Sequence, residues 1–376
     1  MMDRSTFHPF LILLALLAGA LALVVGLSSD PQGDIGLFFS TGAEAAPIFL
    51  IALLAFLSFD RPRLRPVVAA LAVMFVLALA LVSWFFCLAP WMSLLEVEEP
   101  PFEMVLALFE GLLLSLLAAA VSMIGFFRRF RLFLAQYIPI DPDNFVHTVA
   151  LVMITALMII PPIPLLVIGH PPLVDLIANP EFAIAPMSPA DAAKTDAYGL
   201  FWTILGAFIA VGLFVKRSLP EAMDRLGLVM PTLRSVAFAL GVGVALVLVF
   251  SVVDHAIAAV WNYFGWYVTD ADYTEALFAS YLTPCAALVA AVVAGVGEEL
   301  AIRGVLQPRF GIAFSVLVFA ALHAYQYAWD GLLSVLLAGL VFAYLRVRTN
   351  TTVCAITHAT YDFILFSLII LGIGGV

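Results

Sequence analysis

Long apolar runs alternate with short polar segments along the whole chain. Runs of about 17 to 25 apolar residues are long enough to cross the hydrocarbon of a bilayer as helices. They predict spans near residues 9–27, 45–59, 66–89, 102–127, 145–168, 199–215, 235–260, 281–302, 310–325, 331–345 and 351–374. The expected fold class is therefore all-α, a polytopic transmembrane helical bundle of about eleven spans. Two runs, 45–59 and 331–345, are short. They read as tilted, partly re-entrant, or extended into their flanks.

The polar segments test this count through their charges. Arg4, then Arg61, Arg63 and Arg65, then Arg128, Arg129 and Arg131 fall in alternate segments. So do Lys216, Arg217, Arg225 and Arg234, then Arg303 and Arg309, then Arg346 and Arg348, with Lys194 alone on the other side. Basic loops mark the cytoplasmic side, which puts the amino terminus inside and the carboxyl terminus outside. Acidic residues gather in the opposite loops, among them Glu96, Glu98, Glu99, Asp175, Glu181, Asp270, Asp272 and Glu275. The expected localisation is an integral, multi-pass protein of a bacterial inner or plasma membrane.

Composition agrees. Of 376 residues, 64% are hydrophobic and 11% charged, and the mean hydropathy is +1.14, far from a soluble domain. The net charge of −10 reflects the acidic outer loops and gives no reason to expect a nucleic-acid partner. Cys87, Cys285 and Cys354 all fall inside predicted spans and make no disulfide framework or paired metal spacing. The first apolar run is too long for a typical signal-peptide core, and SSDPQGD offers no clear small-x-small cleavage site, so it reads as a retained helix.

No internal repeat is evident. The polar stretch 216–234, KRSLPEAMDRLGLVMPTLR, divides an amino-terminal membrane region of about six helices (1–215) from a carboxy-terminal region (235–376). Its Leu219, Met223, Leu226 and Met230 recur at near-helical spacing. That fits a short interfacial helix, or an ordinary loop with some apolar residues.

The carboxy-terminal region carries the chemistry. Glu298 and Glu299, His323, and His358 with Asp362 lie in apolar segments. Ionisable side chains inside a membrane are costly and mark functional sites by default. On a regular helix Glu298 and Glu299 point about 100° apart. Arg303 is four residues after Glu299, so a Glu299–Arg303 pair is expected, with Glu298 left free to face a cavity. Counting about 1.5 Å per residue from Arg309 and Arg348 puts Glu298, His323 and His358 roughly 16, 21 and 15 Å deep. Those depths are compatible with one site. His358 and Asp362, four apart, share a helical face. Phe319 reads as packing and Glu110 as a hydrogen-bonded structural carboxylate. Cys354 reads as a buried inert thiol, and Asn350 as loop punctuation before the last helix.

GEELAIRG, FAALH and HATYD, in this order, resemble the motifs EExxxR, FxxxH and HxxxN of the CPBP intramembrane proteases. That family comprises the CAAX prenyl endopeptidases and bacteriocin-processing enzymes. The resemblance covers residues 235–376, and nothing in 1–215 contributes to it. It implies that Glu298 is the general base that activates water, with His323 as its partner in holding that water. It implies further that His358 and Asp362 stabilise the oxyanion, and that Glu299 and Arg303 are structural support. Asp362 stands where the family often has Asn. An ionised Asp repels an oxyanion, so it must be protonated, orient His358, or help bind a metal.

The expected activity is thus hydrolysis of peptide bonds in a membrane-embedded cavity. The substrate is a peptide or protein, lipidated and membrane-associated ones included, and the bilayer is the other partner. The cofactor is open between none and a divalent metal such as zinc, with Glu298, His323 and His358 as candidate ligands. HExxH, the common helical zinc-protease spacing, is absent from the sequence. A proton-coupled secondary transporter or a non-catalytic membrane scaffold are the alternatives. Transporters commonly carry repeats and broken helices in corresponding halves, whereas here every cue lies in one half.

Overall fold

A computed structural model describes residues 8–28, 33–94, 100–178 and 187–373. Arg4, Glu96, Glu98, Glu99 and Glu181 of the charge pattern lie outside these. The described residues are helical, with no strand among them.

The amino-terminal half runs α1 (Pro9–Gly26), α2 (Gly33–Thr41), α3 (Ala46–Leu57), α4 (Arg65–Phe86), α5 (Phe102–Ser122), α6 (Arg128–Leu134), α7 (Phe145–Ile159), α8 (Ile163–Ile168), α9 (Pro172–Ala178) and α10 (Pro189–Ala210). The linker forms α11 (Leu219–Leu226), and then come α12 (Leu233–Phe264), α13 (Ala271–Phe278) and α14 (Pro284–Glu298). A π-helix (Glu299–Leu306) continues α14 and leads into α15 (Gln307–Leu322). The chain ends with α16 (Trp329–Arg348) and α17 (Thr351–Ile370).

Among the described residues eight helices are long and apolar enough to cross a membrane, or nine if α2 and α3, bent by 60°, form one span. One of these stretches, Pro284–Leu322, is 39 residues long and breaks at Gly311, whose φ of 77° interrupts the helix. It therefore holds two of the predicted spans, and α10 carries the run at 199–215 as far as Ala210. The total is again about eleven. The short run 331–345 does extend into its flanks, as α16.

Local chemistry explains the ends. Ser218 and Glu221 form a capping box at the start of α11, and Gly227 ends it in the left-handed conformation at φ 71°. The linker is thus helical over Leu219–Leu226, while Met230, the last of its spaced apolar residues, lies beyond the helix. Asn350 accepts from the Val353 amide and caps α17, a more definite role than loop punctuation.

Two glycines bring the site-bearing helices together. A Cβ on Gly295 of α14 would lie 2.5 Å from the Ala359 nitrogen of α17. One on Gly243 of α12 would lie 2.9 Å from the Thr357 oxygen. The backbone of α17 is therefore gripped between α12 and α14 at contacts only glycine permits. The amino-terminal half packs directly on this core. Leu151 and Ile154 of α7 share a hydrophobic cluster with Ile302, Phe310 and Phe319, and Ala207 and Val211 join Leu226 and Leu300 in another.

Basic loops distant in sequence meet on one face of the bundle. Arg309 donates to the Pro139 carbonyl at 3.1 Å, Arg225 reaches Gly304 at 3.0 Å, and the Thr351 amide donates to Gly227 at 3.0 Å. Lys194 pairs instead with Asp34 at 2.8 Å.

Candidate active site

The site begins where α14 stops being an α-helix. Residues Glu299–Leu306 are wound as a π-helix, with bonds from i to i+5. Such segments are rare and occur frequently at functional sites. The regular helix expected from the sequence is corrected here. Its polar register nevertheless keeps Glu299 against Arg303, with Oε2 and Nε 3.4 Å apart and both side chains fully buried.

Two buried opposite charges need further partners, because desolvation is large. The Arg303 Nη2 donates to the Gly339 carbonyl at 3.2 Å. Its guanidinium also lies 4.6 Å from the Phe319 ring centroid and 5.9 Å from that of Phe342, within cation–π range. Phe319 is thus more than filler. Its carbonyl also accepts from His323.

That bond fixes the His323 ring. Nδ1 lies 2.8 Å from the Phe319 oxygen, and a carbonyl only accepts, so Nδ1 carries the hydrogen and Nε2 is left facing the site. Rings on both sides hold the imidazole: Phe319 edge-on at 4.9 Å and Tyr327 stacked at 6.1 Å. His358 is set the same way by a different group. Its Nδ1 lies 3.0 Å from Glu299 Oε1, and its face stacks on Phe342 at 4.7 Å.

Both Nε2 atoms therefore point to one place, and Glu298 is there. Its two oxygens lie 4.0 Å from His323 Nε2 and 3.9 Å from His358 Nε2. Asp362 Oδ2 is 3.4 Å from the same His358 nitrogen. The Glu298 side chain is 36% exposed, against none for Glu299. The pair of adjacent glutamates is split, one open to a reactant and one sealed in the core.

The structure thus brings together Glu298, Glu299, Arg303, His323, His358 and Asp362. Glu299 serves two partners rather than Arg303 alone. Asp362 does not orient His358 through Nδ1, since Glu299 occupies that position. Phe342 and Tyr327 went unnoticed in the sequence, because an aromatic in an apolar span looks like any core residue. Glu110 is exposed on α5. Cys354 is buried, its thiol against the Phe342 carbonyl at 3.6 Å.

The gaps fit a small bridging molecule. A water making two hydrogen bonds of about 2.8 Å links atoms roughly 4 to 4.6 Å apart. Tetrahedral zinc, with bonds of about 2.0 to 2.1 Å, holds its donors about 3.3 Å apart, close to the His358–Asp362 spacing of 3.4 Å but tighter than both gaps to Glu298. Among the described residues no group of three or more histidine, cysteine or acidic side chains is placed to hold a metal ion. As positioned, these side chains fit water better than zinc.

Residues 280–364 match the family model described as Type II CAAX prenyl endopeptidase Rce1-like. The match supports CPBP family membership for this carboxy-terminal segment. All the site residues above lie within the matched segment, while α12, α13 and the end of α17 fall outside it. The CPBP match is therefore narrower than the 235–376 suggested by the motifs. No curated protein and no solved structure matches the chain. CPBP proteins are intramembrane proteases, and the apolar helices place this one in a membrane as a multi-pass protein.

Proposed function

We propose that this protein is an intramembrane endopeptidase in which Glu298 and His323 activate water and His358 stabilises the oxyanion. The observation that carries the reading is the pair of distances from Glu298 to His323 Nε2 and His358 Nε2, 4.0 and 3.9 Å. A water between Glu298 and the unprotonated Nε2 of His323 donates to both. Glu298 takes one proton as the oxygen attacks the scissile carbonyl carbon.

The carbonyl oxygen becomes an oxyanion and needs donors placed in advance. His358 protonated on both nitrogens supplies one. Its Nδ1–H is held by Glu299, whose charge is balanced by Arg303, and its Nε2–H points into the site. Asp362, carrying its proton during this step, supplies the second donor. Collapse of the intermediate breaks the C–N bond, and the proton held by Glu298 passes to the leaving amine.

The amino-terminal region (1–215) is proposed to support substrate docking next to the protease region (235–376). A cavity of about 290 Å³ between them is lined by Glu44, Asp196 and Thr203 on one side and by Gly297, beside Glu298, on the other. The basic face of the bundle is proposed as cytoplasmic, on the positive-inside rule, in a bacterial inner or plasma membrane. The test is cleavage of prenylated and leader-type peptides by purified protein and by Glu298→Gln, with and without a chelator. Cleavage lost in the variant and unaffected by chelation is the expected result. A fully active Glu298→Gln, or chelator-sensitive cleavage, overturns the mechanism.

A further inference from the structure

The linker helix α11 touches no reacting group, yet it is bonded to both elements that carry the site. On one side Arg225 donates from Nη1 to the Gly304 carbonyl at 3.0 Å and from Nη2 to Val305 at 3.3 Å. These carbonyls lie in the last turn of the π-helix that begins at Glu299. On the other side the first turn of α17 is tied to the end of α11. The Thr351 amide donates to the Gly227 oxygen at 3.0 Å, and the Thr351 hydroxyl donates to the Leu226 oxygen at 2.6 Å. Thr352 accepts from the Val229 amide at 3.0 Å.

The sequence explains why Arg225 is needed. Residue 308 is proline, which has no N–H to give, so the Gly304 carbonyl cannot close an α-type bond to it where the π-helix passes into α15. Arg225 takes the place of that amide. Gly304 is small for the same contact: a Cβ there would lie 3.2 Å from both the Leu226 carbonyl and its side chain. The placement is otherwise unfavourable. Burial, then Arg309, Arg217 and Arg346, push the Arg225 guanidinium down to about 10. A cation kept among three others is held by its acceptors.

We infer that α11 is a bracket that sets the spacing between the two halves of the site, with Arg225 and Thr351 as its positioning residues. The spacing at stake is the one between the π-helix, which carries Glu299, and α17, which carries His358. Without Arg225 the Gly304 carbonyl is orphaned, the π-helix frays from its lower end, and Glu299 loses its hold on His358. For its catalytic consequence the inference rests on the protease reading.

The test is Arg225→Met in the full-length protein, read by amide hydrogen exchange and by kinetics. Loss of a charged hydrogen bond predicts exchange about tenfold faster over 299–306, with α1 to α5 unchanged. Cleavage should fall about tenfold in kcat with KM held. Arg225→Lys should recover part of both effects. Pro308→Ala, which returns an amide donor to Gly304, should recover most of the loss in the Arg225→Met background. A variant that merely folds poorly would not be rescued so specifically. If Arg225→Met does not fold, Thr351→Val tests the other tie, with faster exchange expected over 351–358.

Unchanged exchange over 299–306, or faster exchange with kcat intact, overturns the bracket. So does failure of Pro308→Ala to rescue. The exchange arm needs no substrate. Should the wild type cleave nothing while exchange responds as stated, the protease reading fails and the bracket stands.

Discussion

His358 Nδ1 lies 3.0 Å from Glu299 Oε1, while the other oxygen of that carboxylate faces Arg303 at 3.4 Å. One buried anion thus orients an imidazole on a second helix and neutralises a cation on its own. Glu299→Gln removes its charge, leaves Arg303 buried and unpaired, and frees the His358 ring. The expected loss is about 3 to 5 kcal/mol of stability together with activity, measured by denaturation in detergent and by cleavage.

Glu298→Gln should behave in the opposite way. Its carboxylate is partly exposed and makes no contact closer than 3.9 Å to either imidazole, so little of the fold depends on it. Removing a general base lowers rate by about 10²- to 10⁴-fold, with the melting temperature unchanged. Equal stability losses for the two variants would contradict the division of labour between the adjacent glutamates.

Much of this arrangement was legible in the sequence, and the boundary is physical. Apolar run length reports spans directly. Spacing along one helix reports pairs such as Glu299–Arg303, which survives even the change to π winding. Neither reports what faces what across helices. The contacts of His358 with Glu299 and Phe342, and of Arg225 with Gly304, depend on the register between elements, which one chain's periodicity does not encode. Pro308 shows in the sequence that one amide is missing, but not that a linker arginine fills the bond. The π-helix has no distinct pattern of its own over eight residues, and so reads as α.

Gly295 should tolerate no side chain. Its Cβ would meet the backbone of α17, 2.5 Å from the Ala359 nitrogen, one residue from His358. Backbone cannot rotate away as a side chain can, so Gly295→Ala must push the two helices apart. A cost of about 1 to 3 kcal/mol is expected for such overpacking, with loss of cleavage. Gly241, on α12 with open space at its Cβ position, should accept alanine without either effect.

A pH-dependent contribution to stability is expected outside the membrane spans. His170 Nε2 lies 2.8 Å from Asp175 Oδ2, both partly buried. The hydrogen bond to Asp175 raises the imidazole above its usual value, with burial opposing. A raised histidine stabilises the fold fully below its unfolded value of about 6.5, and the contribution is lost as pH rises through the folded value. Asp175→Asn should therefore reduce stability at pH values near 5 and make little difference near 9. A deficit independent of pH would mean that the pair is held by packing alone.

Asp362 decides how the oxyanion is held. Its Oδ2 lies 3.4 Å from His358 Nε2, on the side from which that nitrogen would donate to substrate. As a carboxylate it would compete for the same hydrogen and repel the developing charge. As an acid it would add a donor. Asn donates without carrying charge and nearly matches Asp in shape, so Asp362→Asn should lower kcat by less than about tenfold. Asp362→Ala, which removes the donor, should lower it by about 10²- to 10³-fold, the range for loss of one oxyanion donor. If Asn is as damaging as Ala, the carboxylate itself is required. Its role would then move from the oxyanion to holding His358 in its doubly protonated form, from the face opposite Glu299.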